Sequence, residues 1–463
     1  MIALTLQDIA GITGGDLVDG AEAATTVTGP VVVDSREVTA GALFVCIRGE
    51  SLDGHDFAAQ AAERGAAAAL ASRSVGVPAV LVEDCQAALA ALATEVLGRM
   101  RCRIVGVTGS SGKTSTKDLM AAVFAVGGPT IAPKNSYNNE YGLPLTALRV
   151  SDDTSTLVLE YSARGIGHIR YLCGIARPDI AVVLNVGHAH LGEFGSRAGI
   201  ATAKGELVEA LAPSGVAVLN ADDPLVASMA ERTDARVVTF GLAADADVRV
   251  GDVDVDELDR PRFVVTTPDG RHEVRLSVHG RHQALNAAAA LAAGWVAGIE
   301  VADAVAAIEE VTAISPHRMQ LRRRDDGLLV IDDAYNANPD SVAAALAALA
   351  RMRGRGKTWA VLGPMRELGG ESPALHMRVG VAAAEAGTDH LVVLGPDAAA
   401  IADGADSVDG WSGRSHRVAD ATEASALLLE QTGPGDVVLV KASNSEQLWR
   451  LADELLAGVR ASA

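Results

Sequence analysis

A chain of 463 residues, 49% hydrophobic and 21% charged, is too apolar for a disordered polymer and too long for one ordinary core, so two or three globular domains are expected. Its formal net charge of −20 repels nucleic acid and anionic membranes, so any phosphorylated ligand must be held locally by backbone amides, lysines and a metal. The four cysteines stand far apart without metal-ligand spacing, as in a reducing cytoplasm.

In chain order, the opening MIALTLQDIAGITGG has neither the basic head nor the long apolar run of a secretory signal. No later apolar run approaches the roughly 20 residues of a membrane span. A soluble cytoplasmic protein is expected. Residues 1–99 alternate short strands (GPVVVDSR, GALFVCI, PAVLV) with two alanine-rich stretches read as helices, HDFAAQAAERGAAAA and CQAALAALATEVLGRM; this is a small α/β domain.

Residues 100–313 open with the apolar strand CRIVGVTG, which runs directly into GSSGKTS and a helix. Glycines there let backbone amides converge on phosphate oxygens, Lys113 supplies a cation, and the Thr114 hydroxyl can ligate magnesium. Gly109, Ser110, Ser111, Gly112, Lys113, Thr114 and Ser115 are the candidate cradle of a nucleoside triphosphate. The spacing departs from the strict G-x-x-x-x-G-K pattern, because Val107 occupies the first glycine's position. Further apolar strands (TLVLEY, DIAVVLNV, GVAVLNADD, RVVTFG) separated by helices predict a mostly parallel sheet covered on both faces. The alternating segment between Asp245 and His279 predicts edge hairpins. By residue type alone Glu160 reads as a surface acid; its place at a strand end, where ligands of open α/β sheets collect, makes it a candidate metal ligand. A lone histidine is usually structural, but His188 and His190 together at another strand exit, in the domain with the phosphate loop, point to metal or phosphate contact. Nothing local distinguishes Lys204 from a solvated helix lysine.

Residues 314–463 repeat the βα rhythm through LLVIDDAY, NPDSVAAALAALARM, TWAVLG, PALHMRVGVAAAEAG, HLVVLG and DVVLVKAS, a Rossmann-like domain without its own phosphate loop. In VIDDAYNANPDS, capping chemistry accounts for Asn338 and Pro339. It leaves Asp332 and Asp333 at a strand exit, where Asp333 reads as a nucleotide or substrate contact. Arg318 can meet phosphate or sit on the surface. Convergence of these exits predicts a cleft between the second and third domains.

These segments together resemble the Mur ligases, the ATP-dependent amide-forming enzymes of peptidoglycan precursor synthesis, over essentially the whole chain. DSREVTAGALFVCIRGESLDGHDF resembles their nucleotide-sugar-binding domain. NSYNNEYGLPLT, ARGIGHIRYL, AHLGEFGS, AKGEL, NADDP and DDAYNANPDS are most similar to the member that adds D-alanyl-D-alanine. The resemblance implies a three-domain α/β protein: residues 1–99 bind the UDP-sugar-peptide, 100–313 form a central P-loop ATPase domain, and 314–463 form a C-terminal Rossmann-like domain that takes the dipeptide and closes on ATP. It implies ATP and two Mg²⁺ ions, with Lys113 and Thr114 on the phosphates and first metal, and Glu160 as a metal ligand. His190 and a Lys204 carbamylated by carbon dioxide would hold the second ion. It sets Asn286 at the adenine, Arg318 at the γ-phosphate and Asp333 at the ribose. Ser35 and Arg36 fall at the uridine nucleotide. Asn138, Asn139, Asn336, Asn338 and Lys441 fall on the remaining substrate surface. The partners implied are UDP-N-acetylmuramoyl-tripeptide and D-alanyl-D-alanine, served by a monomer.

The chain departs from the family pattern at Tyr161 beside Glu160, at His282-Gln283 on the adenine side, at Pro364 and Arg366, and at Asn444, where a positive charge is lost. These departures keep two alternatives in play: a sibling ligase adding another amine, and a nucleotide-binding scaffold that has lost ligation. A switch GTPase is excluded by the lack of an N-K-x-D segment.

Overall fold

The structure, a computed structural model, describes residues 1–49, 52–188, 191–313 and 315–458. Its N-terminal portion is a five-stranded sheet in the order Asp16–Val18, Ala79–Leu81, Ala68–Ala71, Leu43–Val45, Val31–Val32. All its pairs are parallel except the first. The alanine-rich stretch read as one long helix divides here. The helix ends at Glu63, Gly65 turns the chain with φ +95°, and Ala68–Ala71 becomes a fully buried strand. A left-handed turn costs glycine little, and pairing on both edges outweighs alanine's helix propensity.

The central sheet has nine strands in the order Gly270–Arg275, Pro261–Thr267, Val248–Val255, Arg236–Gly241, Val216–Asn220, Ile180–Val183, Arg103–Thr108, Thr156–Glu160, Thr130–Ile131. The first three strands pair antiparallel in succession, as the expected edge hairpins, and the remaining pairs are parallel. The strand Arg103–Thr108, which feeds the glycine loop, therefore lies between Ile180–Val183 and Thr156–Glu160. The exits of all three open on one edge.

Strand alternation settles the position of Tyr161. Successive side chains point to opposite faces, so with Glu160 on the loop side, Tyr161 turns into the core. It is 0% exposed, packs against Gly106 and donates from its hydroxyl to the carbonyl of Ala176 at 2.5 Å. It stands next to the acid in the chain and contributes nothing to the loop edge.

The C-terminal sheet has six strands in the order Gln320–Arg323, Leu329–Asp332, Val437–Lys441, Thr358–Leu362, His390–Leu394, Arg414–Val418, parallel except for the first pair. Contacts among the described residues hold its loops against the central body. Arg351 makes a two-pronged ion pair with the fully buried Asp259. His188 Nδ1 lies 3.1 Å from Asp340, whose other oxygen accepts from the His188 amide at 2.9 Å. The Gly192 amide donates to the Glu367 carbonyl at 3.0 Å. His188 thus serves as an interdomain contact.

Candidate active site

Between the loop edge of the central sheet and the strand exits of the C-terminal sheet lies a cleft of about 380 Å³. Its floor is the glycine loop. Gly112 takes φ +81°, and a Cβ there would meet Asn286 Oδ1 at 2.6 Å, so glycine is required both by conformation and by the close approach of that asparagine. Asn286 is buried and donates to Gln283 Oε1 at 2.8 Å. Gln283 Nε2 is buried beside it without a partner among the described residues. The amides of Ser110 and Ser111 both donate to Asn185 Oδ1 at 2.9 Å, and Gly187 donates to Ser110 Oγ at 2.9 Å. Asn185 carries no motif of its own; its only sequence signal is its place at a strand exit, and sequence reasoning passed over it.

Around this loop, cations gather against one acid. Lys113 Nζ donates to the Gly109 carbonyl at 2.7 Å. Burial lowers the Lys113 amine below its usual range, opposed by Glu160. Glu160, 1% exposed, accepts from Thr114 Oγ1 at 3.0 Å and from Asn138 Nδ2 at 2.8 Å. Lys204 is no solvated lysine. It is 5% exposed on the helix Arg197–Glu209, and burial followed by repulsion from Lys113 holds its amine well below the usual lysine value, with Glu160 in opposition. The two lysines and Glu160, spread over more than ninety positions of sequence, thus share one local field. His190 lies outside the described residues.

The C-terminal side adds Arg318. One of its terminal nitrogens donates to Ser136 Oγ at 2.7 Å, its guanidinium carbon lies 4.2 Å from the Tyr335 ring centroid, and its Nε is buried without a partner among the described residues. Ser136 Oγ is itself 3.0 Å from Thr114 Oγ1, so this hydroxyl bridges Arg318 to the glycine loop. Ser136 and Tyr335 were also missed by sequence reasoning. Asp333 accepts from the Met319 amide at 3.0 Å and from Lys441 Nζ at 2.5 Å, and Lys441 also reaches the Asn336 carbonyl at 2.8 Å. The Asn338 side chain caps the helix Pro339–Arg351 through the Ser341 amide at 2.9 Å, as its position before Pro339 dictates. The Asn336 side-chain oxygen accepts from the Ala337 amide at 2.9 Å.

A second cavity of about 440 Å³ separates the central body from the N-terminal helix Cys85–Arg99. Asn138 and Ser162 line both cavities, so the two meet beside Glu160. Asn139 serves the local fold, accepting from the Gly142 amide at 2.9 Å. Ser35 and Arg36 lie outside the cleft, on a single turn of the N-terminal portion. Ser35 Oγ donates to Gln60 Oε1 at 2.6 Å, and Arg36 pairs with Asp34. Burial, then Glu37, Asp34 and Tyr335, raise the Tyr137 phenol above its usual range. Among the departures, Arg366 is matched by Glu446 and Asp397, and Ser443 accepts from its amide at 2.9 Å, so the loops bearing Pro364 and Asn444 support each other.

Such an edge can neutralise and orient a polyphosphate, because amides, Lys113 and Arg318 converge where a neighbouring carboxylate can also hold a cation. The paired oxygens of Thr114 and Glu160 suit Mg²⁺. No cluster of three or more His, Cys, Asp or Glu side chains forms a metal site among the described residues, so phosphate oxygens and water would complete the shell.

Family models match three consecutive stretches: the Mur ligase family catalytic domain over residues 30–96, the Mur ligase middle domain over 107–294, and the Mur ligase glutamate ligase domain over 317–444. The UDP-N-acetylmuramoyl-tripeptide–D-alanyl-D-alanine ligase of Mycobacterium tuberculosis (strain ATCC 25618 / H37Rv) is 46% identical, covering 99% of this chain and 98% of its own. That of Bacillus subtilis (strain 168) is 34% identical over 98% and 99%. Among solved structures, MurF from Acinetobacter baumannii superposes with a TM-score of 0.86 at 29% identity, covering 98% and 99% of the two chains. The MurF ligase of Thermotoga maritima in complex with ADP gives 0.79 at 33% identity over 93% and 98%.

Proposed function

This chain belongs to the Mur ligase family, and we propose that its cleft joins D-alanyl-D-alanine to UDP-N-acetylmuramoyl-tripeptide while ATP is split to ADP and phosphate. The observation that carries the reading is the gathering of Lys113, Glu160, Lys204 and Arg318 on one loop edge beneath a second domain. It is an ATP-dependent ligase of peptidoglycan precursor synthesis.

A carboxylate does not react with an amine, because its carbon is shielded by charge and oxide cannot leave. We assign the activation to phosphorylation. A terminal carboxylate oxygen of the stem peptide attacks the γ-phosphorus, ADP departs, and the resulting acyl phosphate offers inorganic phosphate as its leaving group. The neutral amine of the dipeptide then adds to the carbonyl carbon, and the tetrahedral adduct collapses to the amide with loss of phosphate and a proton. The loop residues Gly109 to Ser115 would hold the phosphates, with Lys113 and Arg318 placed against the charge that builds on the γ-oxygens. The orphaned Arg318 Nε supports that role. Thr114 and Glu160 would hold one Mg²⁺, and His190 with a carbamylated Lys204 a second. When bound, these ions draw charge from the phosphate oxygens and orient them.

Asn286 against Gly112 supports an adenine contact, and the exit bearing Asp333 and Lys441 a ribose and substrate contact. The nucleotide-peptide would enter by Ser35 and Arg36, run through the cavity bordered by Asn139, and deliver its carboxylate past Asn138. Asn336 and Asn338 would line the dipeptide side, the latter by its remaining amide group. Residues 1–99, 100–313 and 314–463 would divide these tasks as sugar-nucleotide, ATP and dipeptide domains. We also read the protein as a cytoplasmic monomer; no helix among the described residues is long and apolar enough to cross a membrane.

A panel of amine acceptors in a coupled phosphate-release assay tests this. Phosphate is expected only when ATP, UDP-N-acetylmuramoyl-tripeptide and D-alanyl-D-alanine are all present. Preference for a single amino acid would make the chain a sibling ligase, and silence with every acceptor would make it a scaffold.

A further inference from the structure

Lys117 is 2% exposed, one turn beyond the phosphate loop, and has no part in the chemistry above. Its ammonium ties three separate segments. Nζ pairs with Asp118 Oδ1 at 2.5 Å and donates to the Pro133 carbonyl at 3.1 Å and Ser315 Oγ at 3.3 Å. The other Asp118 oxygen accepts from the Ser315 amide at 2.7 Å. The three segments are those that supply the cleft. Lys117 lies three residues after Thr114, Pro133 three before Ser136, and Ser315 three before Arg318. Thr114, Ser136 and Arg318 then form their own chain of contacts through the Ser136 hydroxyl.

Beyond Ser315 the chain belongs mechanically to the C-terminal domain. His317 Nδ1 pairs with Asp332 at 2.7 Å, the Tyr335 amide donates to the His317 carbonyl at 3.1 Å, and the Met319 amide donates to Asp333 at 3.0 Å. His317 and Met319 both take positive φ, +60° and +49°, conformations that non-glycine residues hold only when neighbours fix them. Arg318 sits between them. Pro316 stiffens the step from Ser315 by fixing its own φ and disfavouring the helical conformation at Ser315. Ser315 is therefore the last point at which the central domain holds the backbone of this segment, and His317 the first at which the third domain holds it.

We infer that Lys117 and Asp118 are positioning residues that anchor the pivot of the C-terminal domain at Ser315 and thereby hold Arg318 over the phosphate loop. This rests on the assignment of Arg318 to the γ-phosphate. A buried ammonium with three partners suits a fixed anchor, because breaking any of its bonds leaves a buried charge or a buried acceptor unpaired. A displacement of Arg318 by about 1 Å is enough to cost on the order of a hundredfold in turnover.

The test is a double-mutant cycle on the full chain, reading kcat and KM for ATP by phosphate release and ADP affinity by calorimetry. Asp118→Asn retains an acceptor for the Ser315 amide but breaks the ion pair. It is expected to lower kcat roughly tenfold to a hundredfold while ADP affinity stays within about twofold. In an Arg318→Ala background the same change is expected to cost less than about twofold, because the residue it positions is gone. Ser315→Gly, which keeps both charges, guards against misfolding and is expected to show the same dependence on Arg318. Equal losses in both backgrounds, or wild-type kinetics in both Asp118→Asn and Ser315→Gly, would overturn the anchor and leave Arg318's role standing. Wild-type turnover in Arg318→Ala itself would instead remove Arg318 from the site, and the anchor with it.

Discussion

Lys204→Ala is expected to reduce phosphate release roughly a thousandfold, the equivalent of about 4 kcal/mol of transition-state stabilisation, while leaving the circular dichroism spectrum unchanged. A lysine beside a cation site is unfavourable as an ammonium. Here burial and Lys113 both press the amine toward its neutral form, the form that reacts with carbon dioxide. The product is an anion, which exchanges repulsion from Lys113 for attraction and gains two oxygens that can meet Mg²⁺. A small carboxylate such as formate is therefore expected to restore part of the activity of Lys204→Ala and none of that of a Lys113 variant.

The sign of the pH effect follows. The folded amine lies below its unfolded value, so the unfolded chain takes up a proton first as pH falls below about 10.4. The burial of Lys204 then costs stability progressively until the lowered folded value is reached. Below that value the folded amine is itself protonated and carbamate formation stops. Conversion to the carbamate removes the cost, so bicarbonate added to protein already saturated with Mg²⁺ is expected to raise the melting temperature of the wild type and leave Lys204→Ala unmoved. Full activity in Lys204→Ala would discard the carbamate.

Lys113→Ala is the second large effect. Its ammonium reaches the Gly109 carbonyl and faces Glu160 across the loop mouth, where the phosphate oxygens would gather most charge. Removing a positioned cation from a buried phosphoryl-transfer site costs on the order of a thousandfold in kcat. The glycine loop itself should persist, since Asn185 braces the Ser110 and Ser111 amides independently of the lysine. The expected outcome is loss of turnover with an unchanged melting temperature; undiminished turnover would remove the loop from the chemistry.

What the sequence revealed divides along the range of the forces involved. The glycine loop, the βα rhythm, the edge hairpin and the Asn338 cap rest on interactions between residues a few positions apart, and each was readable locally. Lys204 was not, because its neighbours Lys113 and Glu160 reach it only through the packing of the helix Arg197–Glu209 on the sheet. Period-two alternation from Glu160 would have turned Tyr161 into the core from the sequence alone. Ala68–Ala71 was misread for the opposite reason: its composition favours a helix, and only pairing with two flanking strands makes it extended. The braces at Asn185 and Ser136 carry no signature because a side-chain amide or hydroxyl at a strand exit is common, and their importance comes from what they touch.

Oxygen transfer tests the central chemistry most directly. The terminal carboxylate of the UDP-N-acetylmuramoyl-tripeptide is labelled with ¹⁸O and turned over with ATP and D-alanyl-D-alanine. Activation by phosphorylation predicts that each amide formed sends one labelled oxygen into inorganic phosphate. Phosphate released without label, at a rate matching amide formation, would contradict an acyl phosphate and with it the role given to this cleft.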